Sequence, residues 1–171
     1  MRGKATRPRQ GELLNIGSNL IRYYLIKIER FVMRRTGVTK KERDCLITVR
    51  ENGSEPFPIR LCEIAKLMGI RPPSALELVE RLEGKGLLKS RNGMIRLTPQ
   101  GSKEYERIIL NHRVFESLFV QSGISADEAC KETESFDYFL DSRTAEAVHR
   151  KIGSPSLCPH GKPIKSKTGG A

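Results

Sequence analysis

Apolar residues recur along the chain with helical spacing in several separate stretches, and the gaps between them hold residues that start and stop helices. Positions 13, 16, 20, 24, 28 and 31 form one apolar stripe, a period that predicts an amphipathic helix over 12–35 with Gly37 as its stop. Thr39-Lys-Lys-Glu42 has capping-box spacing: the hydroxyl and the carboxylate each take a backbone N–H that a first turn leaves open. A helix is predicted from there to about Asn52, closed by Gly53. A Glu55-Pro-Phe-Pro58 linker and a short strand at Ile59-Arg60 come next, then two helices over 61–68 and 72–85. A hairpin follows around Asn92-Gly93, a pair suited to the two positive φ angles of a type I′ turn. Thr98-Pro99 caps and opens a long helix to about Gln121, because Pro loses nothing at the first helical position. Ser125-Ala-Asp-Glu128 repeats the capping spacing and predicts a helix to about Leu140. Ser142 opens another, ending near Gly153.

Helix, turn, helix and basic hairpin in that order predict a winged helix-turn-helix. The fold class is therefore mostly α with a small β-wing, the winged domain being followed by a helical domain. Expected boundaries are 1–37 for a basic N-terminal extension, 38–101 for the winged domain and 102–153 for the helical domain. Residues 154–171 form a tail rich in Pro, Gly and Lys, whose last seven residues have the composition of disorder.

Charge sharpens this picture. Residues 1–41 hold 11 Lys/Arg against 2 acids and residues 151–171 hold 4 against none, while residues 42–150 hold 16 against 18. Basic ends on a near-neutral body suit a polyanionic partner, although basic tails that only aid solubility have the same composition. The basic start lacks a following apolar core, so no cleavable leader is expected, nor is a membrane span, and the expected location is the cytoplasm. Cys45, Cys62, Cys130 and Cys158 form no C-x-x-C pair, which excludes zinc-ribbon and thioredoxin-like readings. Cys45 and Cys62, among apolar neighbours, are expected to be core thiols.

A recognition helix places its N-terminal residues near base edges in the major groove. Those residues are Arg71, Pro73, Ser74 and Glu77, with Arg81 one turn on. Arg60, Lys89, Arg91 and Arg96 are expected at phosphates, which position a protein without reading sequence, and Arg91 at the wing tip is placed to enter a minor groove. A winged helix used for protein contacts stays open as an alternative. Glu77 favours it, since a carboxylate near phosphates is unfavourable unless it accepts from a cytosine amine.

A second group of residues has metal-ligand chemistry. His112 and Glu116 are four apart and share a helix face. Cys130, Glu134 and Asp137 form an i, i+4, i+7 stripe beside the apolar one of Ala129, Thr133, Phe136 and Leu140. Imidazole, carboxylate and thiolate on two facing helices suit Fe²⁺, Mn²⁺, Co²⁺, Ni²⁺ or Zn²⁺. Spacing alone equally fits a solvated acidic face.

From about Lys40 to Ile164 the chain resembles the metal-dependent repressors of the diphtheria toxin repressor and manganese transport regulator family. The residues that carry this are the winged motif with L-T-P-Q-G, His112-Arg113-x-x-Glu116, the run from Gly123 to Asp141, and C-P-H-G-K-P-I at 158–164. The resemblance implies a homodimer whose helical domain carries the dimer contact and the metal sites. His112 and Glu116 match the first ligand pair, and Cys130 matches a histidine ligand of iron-responsive members. Glu134, Asp137 and Tyr138 match the ligand triplet of a second site, with Tyr standing where that site has His. Asp44 is the nearest match to a ligand from the first winged-domain helix. Arg113, Cys158 and Lys162 line up with residues that hold an anion beside the metal. Cys158 and His160 could instead bind metal themselves, or the tail could simply fold onto the helices. A small β-barrel that some members add is not expected here.

The resulting expectation is a metal-responsive (Fe²⁺ or Mn²⁺) DNA-binding regulator, a homodimeric repressor acting on a palindromic site, with no small-molecule substrate. The alternative of the same descent is a winged-helix regulator that no longer needs metal. No nucleophile–base pair and no phosphate-cradling Gly loop supports an enzyme.

Overall fold

The expected helix starts are realised by the caps that predict them. Thr39 Oγ1 accepts from Glu42 N and Thr39 N donates to Glu42 Oε2 (2.8 Å), so helix α1 runs Lys40–Asn52 with a complete capping box. These features come from a computed structural model that describes residues 37–53 and 58–164. The expected amphipathic helix over 12–35 and the last seven residues lie outside the described residues.

Helices α2 (Leu61–Leu67) and α3 (Pro72–Gly84) are joined by a turn at Gly69, where φ is +63°. Strands β2 (Leu88–Arg91) and β3 (Met94–Leu97) pair antiparallel, with β1 (Ile59–Arg60) on the other side of β3. The connecting residues Asn92 and Gly93 have φ of 53° and 71°, the two positive values that a type I′ turn needs. Helix α3 buries Ala75, and packs Leu78, Val79 and Leu82 in one core with Cys45, Leu46 and Val49 of α1 and Ile95 of β3. One helix face thus makes the core and the other stays exposed for contact.

Helix α4 (Pro99–Gln121) connects the two halves. It contributes Ile108 to the winged-domain core, and Leu110 and Val114 to a second cluster with Ala145, Cys158 and Ile164. Its start is locked to the wing. Thr98 Oγ1 accepts from Gly101 N (3.0 Å) while its hydroxyl donates to Gly86 O (2.6 Å). A Cβ on Gly101 would stand 1.9 Å from the Leu87 carbonyl oxygen, so only glycine permits this approach. Helix α5 (Ala126–Glu134), a 3-10 turn (Asp137–Phe139) and helix α6 (Ser142–Lys151) complete the fold.

Two expectations need correction. Helix α5 stops at Glu134 rather than near Leu140. Asn111 Nδ2 on α4 donates to the carbonyls of Asp137 (2.7 Å) and Leu140 (2.8 Å), and Arg107 Nη2 donates to that of Tyr138 (2.9 Å). Those side chains take the carbonyls of the turn into contacts with α4, and Phe136 packs edge-on to Phe115 and Phe119. Cys62 is exposed, because α2 turns Ile64 and Ala65 inward instead. Cys45 is buried as expected, and burial pushes its thiol up to about 12. All described residues fall in one compact unit, and no helix among them is long and apolar enough to cross a membrane.

Candidate functional site

Helices α4 and α5 face each other, and the ligand-type side chains expected from the sequence divide there into two groups. His112, Glu116 and Cys130 come together, with one ligand atom from each lying within 4.8 Å of the others. His112 and Glu116 are one turn apart on α4, and Cys130 faces them from α5, with Sγ 3.4 Å from His112 Nε2. Glu116 is only 1% exposed. Burial raises the Cys130 thiol above its ordinary value, and the charges of Glu116 and Glu134 raise it further. A thiolate there therefore needs a positive partner.

The orientation of His112 follows from its other nitrogen. Nδ1 lies 3.0 Å from Asp137 Oδ2. Because Asp137 also accepts from Arg43, Nδ1 is placed to donate to it, and this contact sets the ring so that Nε2 faces Cys130. The set of one imidazole nitrogen, one carboxylate and one thiol fits a divalent transition ion.

The other expected ligands are used differently. Asp137, fully buried, accepts from Arg43 Nε (3.1 Å) and Nη2 (2.5 Å). Burial alone would lower the Arg43 guanidinium, but Asp137 more than offsets it and holds it above its ordinary value. Asp137 leaves the expected ligand stripe because α5 ends before it. Asp44 turns outward and pairs with Arg43 (2.9 Å) and Lys40 (3.9 Å). Glu134, the last residue of α5, is half-buried beside the cluster and not part of it. Tyr138 packs into the winged-domain core against Phe139.

The C-P-H-G-K-P-I segment folds back onto α4. Cys158 N donates to Lys162 O (2.9 Å), Leu157 bridges to Pro163, and Arg113 Nη1 donates to Pro163 O (2.6 Å). Cys158 is buried in the second cluster, so its thiol anchors the tail instead of facing an anion with Arg113 and Lys162. Lys162 is exposed. His160, at the tip of this turn, contacts Glu116 Oε1 through Nδ1, with Nε2 3.6 Å from Asp127. The hydrogen bond to Glu116 raises the imidazole above its ordinary value, and Asp127 adds to this.

The partners Arg43–Asp137 and His160–Glu116 escaped sequence reasoning. For Arg43 a signal existed: it lies three residues before Leu46 on α1, and a buried arginine requires a buried acceptor. For His160, 44 residues from Glu116, no local spacing could reveal it.

Arg71, Pro73, Ser74, Glu77 and Arg81 are all exposed on α3, and Arg60, Lys89, Arg91 and Arg96 are exposed on the sheet. Arg81 leans back toward Glu42, 3.7 Å away, which Lys85 Nζ also meets at 2.7 Å.

Residues 98–166 match the metal binding and dimerisation domain of iron-dependent repressors. A structure from Sulfolobus solfataricus, described only as a hypothetical protein, matches with a TM-score of 0.68 and 32% identity over 75% of this chain and all of its own. The chain belongs to the metal-dependent repressor family. The structure of the repressor-family protein ScaR with bound Zn²⁺ matches with a TM-score of 0.60 and 28% identity, over 75% of this chain and 59% of that one. An uncharacterised HTH-type transcriptional regulator of Aeropyrum pernix is 29% identical over 106 residues, 61% of this chain and 59% of its own length. The chain spans 59–65% of the length of the curated relatives it matches. As in the family's name, the matched segment is the part that holds the cluster: His112, Glu116 and Cys130 all lie within 98–166.

Proposed function

We propose that the protein is a metal-responsive transcriptional repressor that acts as a homodimer on a palindromic DNA site. The observation that carries this reading is the convergence of His112, Glu116 and Cys130 behind a winged helix-turn-helix. The solved ScaR complex with Zn²⁺ supports it as a relative of similar fold.

The domain roles are assigned to 38–101 for DNA contact and 102–153 for dimerisation and metal binding. The start of α3 enters a major groove. Arg71, Pro73 and Ser74 face base edges there, while Arg60, Lys89, Arg91 and Arg96 meet phosphates. Glu77 is the exposed residue that opposes phosphates, so it restricts how deeply α3 sits. Arg81 is held back by Glu42 and contributes less to base reading. In the dimer two such helices meet half-sites ~34 Å apart or a multiple of it.

His112, Glu116 and Cys130 hold the ion. An ion held by these residues would tie α4 to α5. Asp137 keeps the His112 ring turned toward the site, and His160 holds the Glu116 carboxylate from the tail. The ion is Fe²⁺ or Mn²⁺ by descent, while the soft Cys130 donor also accommodates Zn²⁺, Co²⁺ or Ni²⁺. The place of action is the cytoplasm, and no reaction or small-molecule substrate is assigned.

Fluorescence anisotropy with a labelled operator tests this. Mn²⁺ or Fe²⁺ should tighten binding by about 5–150-fold, the usual range of coupling between two sites, and H112A/E116A should remove the effect with the fold intact. Equal binding after exhaustive chelation overturns the metal reading. The second reading, a regulator that needs no metal, is favoured by the Arg43–Asp137 bond, which ties α1 to the 3-10 turn without an ion. Metal analysis of the purified protein separates the two.

A further inference from the structure

Asp137 and the residues around it stand where a second metal site is expected from the sequence, and what they do instead is visible in their contacts. Both carboxylate oxygens are occupied: Oδ1 accepts from Arg43 Nε, and Oδ2 accepts from Arg43 Nη2 and His112 Nδ1. The side chain is fully enclosed, and Arg43 is 7% exposed on its side chain. A guanidinium cannot give up its proton in a protein. Any divalent ion approaching Asp137 would meet this fixed cation at short range in a poorly screened interior, where like charges repel strongly. The remaining expected ligands are no substitute: Asp44 is paired at the surface, Glu134 ends α5, and Tyr138 is packed in the core. Among the described residues a single cluster could hold a metal ion, and Asp137 is not in it.

We propose that Arg43 takes the seat of a second ion, and that Asp137 is a positioning residue which acts on the remaining metal site through the His112 ring. The inference rests on the reading of His112, Glu116 and Cys130 as ligands. Its physical content is twofold. The chain binds one transition ion per subunit, and the tie between α1 and the site is made of protein at all metal concentrations. Carboxylates that accept from the far nitrogen of a ligating histidine fix its tautomer and raise its basicity, and losing one typically lowers metal affinity by about 10–100-fold.

Titration of the full-length, metal-free protein with Co²⁺, followed by absorbance and by metal analysis, tests this. The visible d–d bands and a thiolate charge-transfer band should rise together and stop at one equivalent. Two equivalents bound per subunit overturn the inference while leaving the metal reading intact. No uptake overturns the metal reading itself, and the role of Asp137 falls with it.

Two double variants isolate the positioning role, because both lack the ion pair and only one retains an acceptor for His112 Nδ1. R43M/D137L should bind one Co²⁺ about 10–100-fold more weakly than the natural chain. R43M/D137N, whose amide oxygen can still accept, should recover a substantial part of that loss. Equal affinity for the two variants overturns the positioning role, and so does a lost or altered Co²⁺ spectrum in R43M/D137L, which would make Asp137 a ligand. Circular dichroism establishes that both are folded before either is titrated.

Discussion

The winged half and the helical half of this molecule differ in the range of the contacts that shape them. In the winged half, three of the boundaries are specified within a few residues of themselves: a Thr39–Glu42 box starts α1, Asn92-Gly93 turns the hairpin, and Thr98-Pro99 opens α4. Around the helical half, the decisive contacts join residues far apart in the chain, such as Arg43 of α1 with Asp137 and His160 with Glu116. What a local motif such as the one around Asp137 contacts is decided by a residue 94 positions away.

The strongest way to break this contrast is to remove one half of a long-range pair. D137N removes the buried counter-charge of Arg43, leaving it only the partly exposed Asp44, and should cost up to about 3–5 kcal/mol, read from the denaturant midpoint, whereas an apolar replacement of both partners is close to neutral. If D137N is as stable as the natural chain, the Arg43–Asp137 bond does not hold the two halves together.

A smaller effect is expected at Glu42, a long-range pair within the winged half itself. Burial alone would raise its carboxyl, but the Lys85 ammonium and the Thr39 backbone N–H outweigh it and hold it below its ordinary value. A folded value below the unfolded one means the contribution is complete above the unfolded value of about 4.5 and fades as pH falls through the lower folded value. E42Q should therefore lose about 1.5–3 kcal/mol near neutral pH, and melting curves of the two proteins should converge as the pH is lowered through this range. Parallel curves down to strongly acidic pH would refute the assignment.

The smallest effect on stability is expected at the wing tip. R91A touches no core residue and should shift stability by less than about 0.5 kcal/mol, while weakening operator binding and reducing its salt slope by about 1. An unchanged salt slope would place Arg91 away from phosphate.

The same contrast explains what could be read in advance. Start signals are local chemistry, so the beginnings of α1, α4, α5 and α6 and the whole hairpin follow from residue types at fixed offsets. His112 and Glu116 were legible as a pair because they are one helical turn apart, whereas spacing grouped Cys130 with Glu134 and Asp137 and only the family resemblance joined it to the pair. The end of α5 was not, because the apolar period of 129, 133, 136 and 140 runs on past Glu134 and only Asn111 and Arg107, on another helix, cut it short. The extended stripe in turn aligned Asp137 with Cys130 and Glu134, from which the end of α5 separates it. Cys62 misled for a simpler reason: apolar neighbours in sequence do not say which side of a short helix is turned inward.

Gly101 carries a further consequence. With a carbonyl oxygen of Leu87 where its side chain would begin, the hairpin and the long helix α4 have no slack between them, and close-packed contacts transmit displacement instead of absorbing it. A rotation of α4 about Gly101 is therefore passed to the hairpin that carries Arg91.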